Sequence, residues 1–213
     1  MKSLIFIDTE TNCFADEIGV NTYDRPFINN EGKVIYPRIC QISWIVTSTR
    51  GETIVERDFI IKPKDFLILP SAEGVHGISN EYAFEHGFPI EDILEILKSD
   101  INTYNCYKII GHNVKFDAHM IEGEALRLRD FSFFEELTNF NYEDTCTNSL
   151  VMKYVGGLDK RGRIKKPRLS ELYIKLFGHS FDGAHNSLND IRATKDCFFE
   201  CVKLGLIDQY IFD

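Results

Sequence analysis

No CxxC pair occurs among the six cysteines, at positions 13, 40, 106, 146, 197 and 201. That absence argues against both a zinc ribbon and a disulfide framework. A long apolar run is missing as well. The first one, in MKSLIFID, is cut short by Asp8, too soon for the hydrophobic region of a signal peptide. No later segment approaches membrane-spanning length, so no membrane partner is expected. With no export signal, the expectation is a cytoplasmic protein with reduced thiols. Internal repeats, low-complexity tracts and an interdomain linker are absent, so residues 1–213 are expected to form one domain. Positive charge is scarce: 24 Lys and Arg face 33 Asp and Glu, a net charge of −9. Such a balance argues against broad, charge-driven coating of nucleic acid. It leaves room for an enzyme that grips a few nucleotides through bound cations.

What is present is an ordinary globular composition, 44% hydrophobic and 27% charged. Residues 3–8, SLIFID, form a near-continuous apolar run ending in an acid, the pattern of a buried central strand. Residues 12–37 hold Gly19, Pro26, Asn29, Asn30, Gly32 and Pro37 and are expected to be an excursion with a short strand around Lys33–Tyr36. Strands are expected at Ile39–Thr47 and Glu52–Ile61, joined by a turn at Thr49-Arg50-Gly51. Pro63–Ser71 should be a loop, and IEDILEIL at 90–97 has helical spacing. A short strand at Ile109–Gly111 feeds a helix from about Asn113. A strand around Asn141–Asp144 and helices over Thr147–Tyr154, Leu169–Phe177 and Ser187–Lys203 follow. Strands first, then alternating helices and strands, predict an α/β fold with a mixed sheet.

Three short stretches carry carboxylates and a histidine. Asp8 and Glu10 lie in FIDTET, Asp117 in GHNVKFD, and His185 with Asp190 in HNSLND. Two residues apart on a strand, Asp8 and Glu10 share a face; taken alone, the pair is equally compatible with a solvated strand exit. Asp117 sits on the flank of the stripe Ala118, Ile121, Ala125, Leu128, where a carboxylate needs compensation. It could also be a first-turn acid near a helix N-terminus, with Asn113 as N-cap. Ser187 and Asp190 could form a capping box, leaving His185 a surface residue. Converging carboxylates, however, repel unless cations sit between them. A pair of oxygen-ligated ions such as Mg²⁺ or Mn²⁺ accounts for their assembly and suits in-line phosphoryl displacement. The constellation points to a nuclease.

The order D-x-E, then D, then H-x(4)-D resembles the DEDD superfamily of 3′–5′ exonucleases in its histidine variant. The subgroup is the one typified by the epsilon proofreading subunit of bacterial DNA polymerase III. FIDTET, IIGHNVKFD and AHNSLNDIRAT resemble its three motifs, and VHGIS, DTCTNSL and PRLSELYIKLFG match between them. Two departures are the long stretch between Glu10 and PRICQIS, and Ser187 where alanine is usual. The resemblance implies a ribonuclease H-like fold with about five strands flanked by helices. It further implies two Mg²⁺ or Mn²⁺ ions held by Asp8, Glu10, Asp117 and Asp190, with His185 deprotonating the attacking water. An unperturbed histidine titrates near about 6.5, close to working pH. Thr9, Thr11, His76, Ile78 and Phe116 would lie near the terminal nucleotide, although Phe116 also reads as a core aromatic. The implied substrate is a nucleic acid 3′ end: DNA in the first reading, RNA in the second. A polymerase or other replication protein is an implied partner. A non-catalytic binding module would be free to lose one of the five residues, and none is lost.

One local feature stands apart. Lys160, Arg161, Arg163, Lys165, Lys166 and Arg168 concentrate positive charge in an acidic chain. The run reads either as a solvated loop or as a phosphate-contacting arm.

Overall fold

The computed structural model describes residues 2–21 and 24–208. The apolar run at the N-terminus becomes the central strand β1 (Ser3–Thr11), longer than its hydrophobic part, so that both acids lie within the strand. It pairs antiparallel with β2 (Ile39–Ser48), which pairs antiparallel with β3 (Thr53–Ile60). On its other side β1 runs parallel to β4 (Cys106–Gly111), and β4 to β5 (Tyr142–Asp144). The sheet is thus mixed and five-stranded, in the order β3-β2-β1-β4-β5, as the resemblance implied. The tight β2–β3 turn closes at Gly51, whose φ of +89° is accessible mainly to glycine.

Helices cover both faces. One core joins Ile5 and Ile7 to α3 (Ile90–Thr103), α4 (Val114–Arg127) and α5 (Phe131–Thr138). The other joins Leu4 and Phe6 to α6 (Ser149–Val155), α7 (Leu169–Phe177) and α8 (Ser187–Lys203). The alternation Leu4/Ile5/Phe6/Ile7 therefore feeds two cores, which is why the run looks uniformly apolar. A third, smaller cluster gathers Cys40, Ile68, Ala72, Ile78 and Ala83 around α1 (Pro70–His76) and α2 (Asn80–His86). All six cysteines are buried and unpaired as thiols. Among the described residues, no helix is long and apolar enough to cross a membrane.

Several expectations need correction. The segment expected to be a loop up to Ser71 already enters α1, and α2 and α5 were not expected at all. These helices have seven or eight residues, too few to display a clear 3.6-residue period. Their punctuation was nonetheless readable: Pro70 opens α1, Gly77 closes it with φ +75°, and Asp130 caps α5 by accepting the Phe133 N–H. The strand expected at Lys33–Tyr36 is a single bridge, Ile28 to Val34.

The excursion instead wraps α4. Arg38 beyond it pairs with Glu124, and the Tyr36 hydroxyl lies 3.4 Å from His119 Nδ1. Helix α4 is consequently buried almost all round, with Glu122 and Glu124 each 1% exposed. A one-sided apolar stripe described only half of its environment.

Candidate active site

The site is built where β1 ends. Asp8 and Glu10 point to the face covered by α8, and Asp190, in the first turn of α8, faces them. Ligand oxygens of Asp8, Glu10 and Asp190 all lie within 4.8 Å of one another. Packing fixes this approach. Phe6, two residues before Asp8, meets Phe198 of α8 edge-on with centroids 5.5 Å apart. The Ser187 hydroxyl donates to the Asp8 carbonyl at 2.7 Å, and the Ser187 N–H to Gln41 Oε1 at 3.3 Å. The serine that departs from the usual alanine is thus a clamp between α8 and β1.

Asp117 arrives from the opposite face of the sheet, on the first turn of α4 and only 3% exposed. It does not join the three-carboxylate group directly. Its Oδ1 accepts the Thr9 N–H at 2.9 Å and the Thr9 hydroxyl at 2.8 Å. Thr9 points away from Asp8 and Glu10, so β1 presents its acids on one face and secures Asp117 on the other. Its charge nevertheless reaches both Asp8 and Glu10.

His185 is exposed and sits in the left-handed region, φ +67°, just before the Asn186 N-cap. For a residue with a Cβ that conformation costs about 1–2 kcal/mol. It is held by its own N–H, which donates to Asp190 Oδ2 at 3.1 Å. The alternative of a Ser187–Asp190 capping box does not hold: Asn186 caps α8 by accepting the Asn189 N–H, and Asp190 instead fixes His185. Asn113 is corrected too. It precedes α4 but has φ +69° and makes no side-chain cap; its N–H donates to Asp144 Oδ1 at 3.1 Å.

Burial and mutual repulsion dominate the electrostatics of the four acids. Burial, then the charges of Asp117, Asp190 and Glu10, raise Asp8 well above the usual carboxylate range. Burial and then Asp190 and Asp117 push Glu10 up to about 8. Burial lifts Asp117 to about 7 against the pull of its Thr9 hydrogen bonds. Asp190 is raised by burial, opposed by the His185 N–H. Its Oδ1 is buried with no hydrogen-bond partner. Desolvation and like charge acting together resist ionisation, and an all-oxygen donor set with an orphaned oxygen suits hard divalent cations. The residues present fit a metal site.

Of the remaining expected residues, the structure brings Thr11 and His76 together at the end of β1. Thr11 donates its hydroxyl to the Cys13 carbonyl. His76 accepts the Ile78 N–H on Nδ1 at 3.0 Å, so its Nε2–H is the one that meets the Thr11 carbonyl at 3.2 Å. Burial lowers the His76 pKa, in keeping with this neutral form. Ile78 is 6% exposed in the small cluster, and Phe116 packs partly against the main core. Sequence reasoning missed the layer beside the acids. Gln41 Nε2 and the Ser43 hydroxyl both donate to Asp58 Oδ1 at 2.8 Å. Those two polar residues stand opposite Glu10 and Asp8 on β2, a pattern visible in ICQISWIV as two polar residues in a buried strand. Asp144 was missed as well; its charge also raises Asp117.

Comparison with known proteins gives the family and the fold. The exonuclease model RNase_T matches residues 5–198, a span holding all five residues singled out by order. No curated protein matches the chain in sequence. Among solved structures, E. coli exonuclease I in complex with a dA16 oligonucleotide superposes with a TM-score of 0.73 at 20% identity. That match covers 100% of this chain and 43% of the other. Exonuclease I from Methylocaldum szegediense gives a TM-score of 0.65 at 19% identity, covering 95% of this chain and 41% of the other. The chain thus spans less than half the length of these structural relatives, and the likeness is one of fold. By its sequence match from the first strand into the last helix, the chain belongs to the RNase_T exonuclease family.

Proposed function

We propose that this chain is a metal-dependent 3′–5′ exonuclease of the histidine variant, similar to the epsilon proofreading type, whose whole length forms one catalytic domain. DNA is its first substrate, with single-stranded or mismatched 3′ ends preferred. The observation that carries the reading is the convergence of Asp8, Glu10 and Asp190 within 4.8 Å, with the charge of Asp117 beside them. These four carboxylates would hold two Mg²⁺ or Mn²⁺ ions. When bound, such ions supply charge compensation and Lewis acidity for phosphodiester hydrolysis.

The chain's own groups do the rest. Asp8, Glu10 and Asp190 bind from one face of β1, and Thr9 orients Asp117 from the other. A neutral ring nitrogen of His185 takes the proton of the attacking water, with the strained backbone of the residue held by Asp190. Water attacks the terminal phosphodiester, the 3′ oxygen leaves with a proton, and a nucleoside 5′-monophosphate is released. Thr11, His76 and Phe116 border the terminal nucleotide, with Thr9 and Ile78 buried behind them.

In-line attack needs the 3′ nucleotide separated from its complement, at a cost of about a few kcal/mol for a paired end. An acidic chain has little electrostatic energy to supply it. The isolated protein should act distributively, with processivity dependent on a polymerase or other replication partner. An RNA-directed activity is the second reading, since contact at the 2′ position decides between them. The test is one assay of labelled single-stranded DNA, matched and mismatched duplex ends, and RNA, with Mg²⁺, Mn²⁺ or chelator. Shortening from the 3′ end of single-stranded and mismatched DNA, abolished by chelator, supports the proposal. Degradation of RNA alone would move it to the second reading, and activity undiminished in chelator would overturn it.

A further inference from the structure

The basic stretch folds as a small hairpin rather than an open loop. Leu158 bridges Ile164 antiparallel, the Asp159 N–H donates to the Arg163 carbonyl at 2.8 Å, and the Lys165 N–H to the Gly157 carbonyl at 3.0 Å. The turn closes with the Gly162 N–H on the Asp159 carbonyl at 2.9 Å, and Gly162 has φ +75°. Asp159 stiffens it further: its Oδ1 accepts the N–H groups of both Arg161 and Arg163.

The six cations are not equivalent. Arg163 is spent on Asp159 and Lys165 on Glu171, at 2.8 and 2.7 Å. Lys160 and Arg161 occupy the centre of the turn, exposed and, among the described residues, in no ion pair within bonding distance. Arg168, at the base, is also exposed, and its backbone N–H, not its guanidinium, bonds Glu171. Six cations and one acid between 157 and 168 leave net −14 for the rest of a chain whose total is −9.

The hairpin is also placed at the working end of the sheet. His112, directly after β4, donates Nε2–H to the Pro167 carbonyl at 2.9 Å and meets the Thr145 hydroxyl at 3.2 Å through Nδ1. β4 runs parallel to β1, so its C-terminal end is the end that carries the carboxylates. The next helix, α4, begins two residues after His112 and delivers Asp117. A rigid turn with exposed cations thus stands beside an acidic site that would itself repel a polyanion.

We propose that the 157–165 hairpin is a strand-guiding arm: Lys160 and Arg161 at its tip, with Arg168 at its base, hold the sugar–phosphate backbone of single-stranded nucleic acid upstream of the terminal nucleotide. The arm rests on the exonuclease reading above for its purpose, but its binding can be measured without hydrolysis. The probe is a labelled oligodeoxynucleotide longer than the site, its binding followed by fluorescence anisotropy in chelator over a range of salt. The parent is compared with a triple variant, Lys160→Gln, Arg161→Gln and Arg168→Gln. A control, Arg129→Gln with Lys203→Gln, removes cations from the distal ends of α4 and α8. Melting temperature confirms that each variant is folded.

The triple variant should bind on the order of tenfold more weakly at low salt. Its log–log salt slope should be shallower by about 2, at roughly 0.7 per lost contact on a single strand. The control should keep the parent's affinity and slope. Equal slopes for triple variant and parent, or an equal loss in the control, would overturn the arm. A parent that hydrolyses no 3′ end, yet loses affinity in the triple variant, would keep the arm and defeat the exonuclease reading. An active parent whose affinity is untouched in the triple variant would do the reverse.

Discussion

Two groups of acids in this molecule differ in how their charge is met, one around α4 and one at the end of β1. Around α4, Glu124 is 1% exposed, yet its carboxylate meets Arg38 Nε at 2.9 Å, Arg127 at 3.2 Å and the Ile39 N–H at 3.2 Å. At the end of β1, Asp8, Glu10 and Asp190 crowd within 4.8 Å, and among the described residues no side-chain cation pairs with them. The first arrangement is a closed ion network that fastens the excursion to the core. The second is a cluster of like charge that packing of α8 on β1 brings together. Like charge gathered without pairing is the arrangement that functional sites favour, and it supports the proposed catalytic role of these acids.

The sharpest way to break the comparison is to delete members of each group. Alanine at Asp8, Glu10, Asp117 or Asp190 should take exonuclease activity to background, and double variants should lose little more, because ligands act as a unit. Steady-state rates with Mg²⁺ check this, and an active Asp117→Ala enzyme would contradict it. His185→Ala should retain metal binding and lose on the order of 10²–10⁴ in rate, the range of a general base. A wild-type rate and pH profile in that variant would return His185 to the surface. Glu124→Ala should behave differently, costing about 3–5 kcal/mol of stability by leaving two arginines without their buried partner. Chemical denaturation measures that loss, whereas Asp190→Asn, which relieves repulsion, should not destabilise the metal-free protein at neutral pH.

A smaller effect is the pH dependence of stability. Glu10 at about 8 and Asp117 at about 7 are raised in the folded state, so the folded chain holds more protons than the unfolded one between about pH 4 and those values. With respect to these groups, metal-free stability should therefore be greatest below about pH 4 and fall from there until pH passes about 7 and 8. Glu122, which burial raises to about 7 with Arg25 in opposition, contributes in the same direction. Divalent cations should cancel the part that belongs to the β1 carboxylates and leave the Glu122 part. Melting temperatures from pH 5 to 8, with and without Mn²⁺, separate the two.

Much of this site was legible because its residues sit on long, regular elements. β1 and α8 followed from an apolar run and a 17-residue helix, and the spacing of Asp8 and Glu10 gave their shared face directly. Helix α4 was only half legible. Its apolar stripe predicted one buried side, but the other is covered by residues 24–38, nearly ninety positions away along the chain, and no local pattern encodes that contact. For the same reason the Thr9–Asp117 bond and the Gln41–Ser43–Asp58 layer were invisible: each depends on which elements become neighbours. The left-handed backbone of His185 was hidden for a different reason, since nothing in HNSLND distinguishes Ser187 from Asn186 as the cap.

The proposed function requires that Asp8, Glu10, Asp117 and Asp190 together hold two divalent cations. Mn²⁺ titration followed by electron paramagnetic resonance counts those cations without reference to any substrate. The account predicts two ions per wild-type chain, and loss of at least one in both Asp8→Asn and Asp190→Asn, with Glu124→Gln unchanged. No bound Mn²⁺ in the wild type, or full binding in Asp8→Asn, would contradict it.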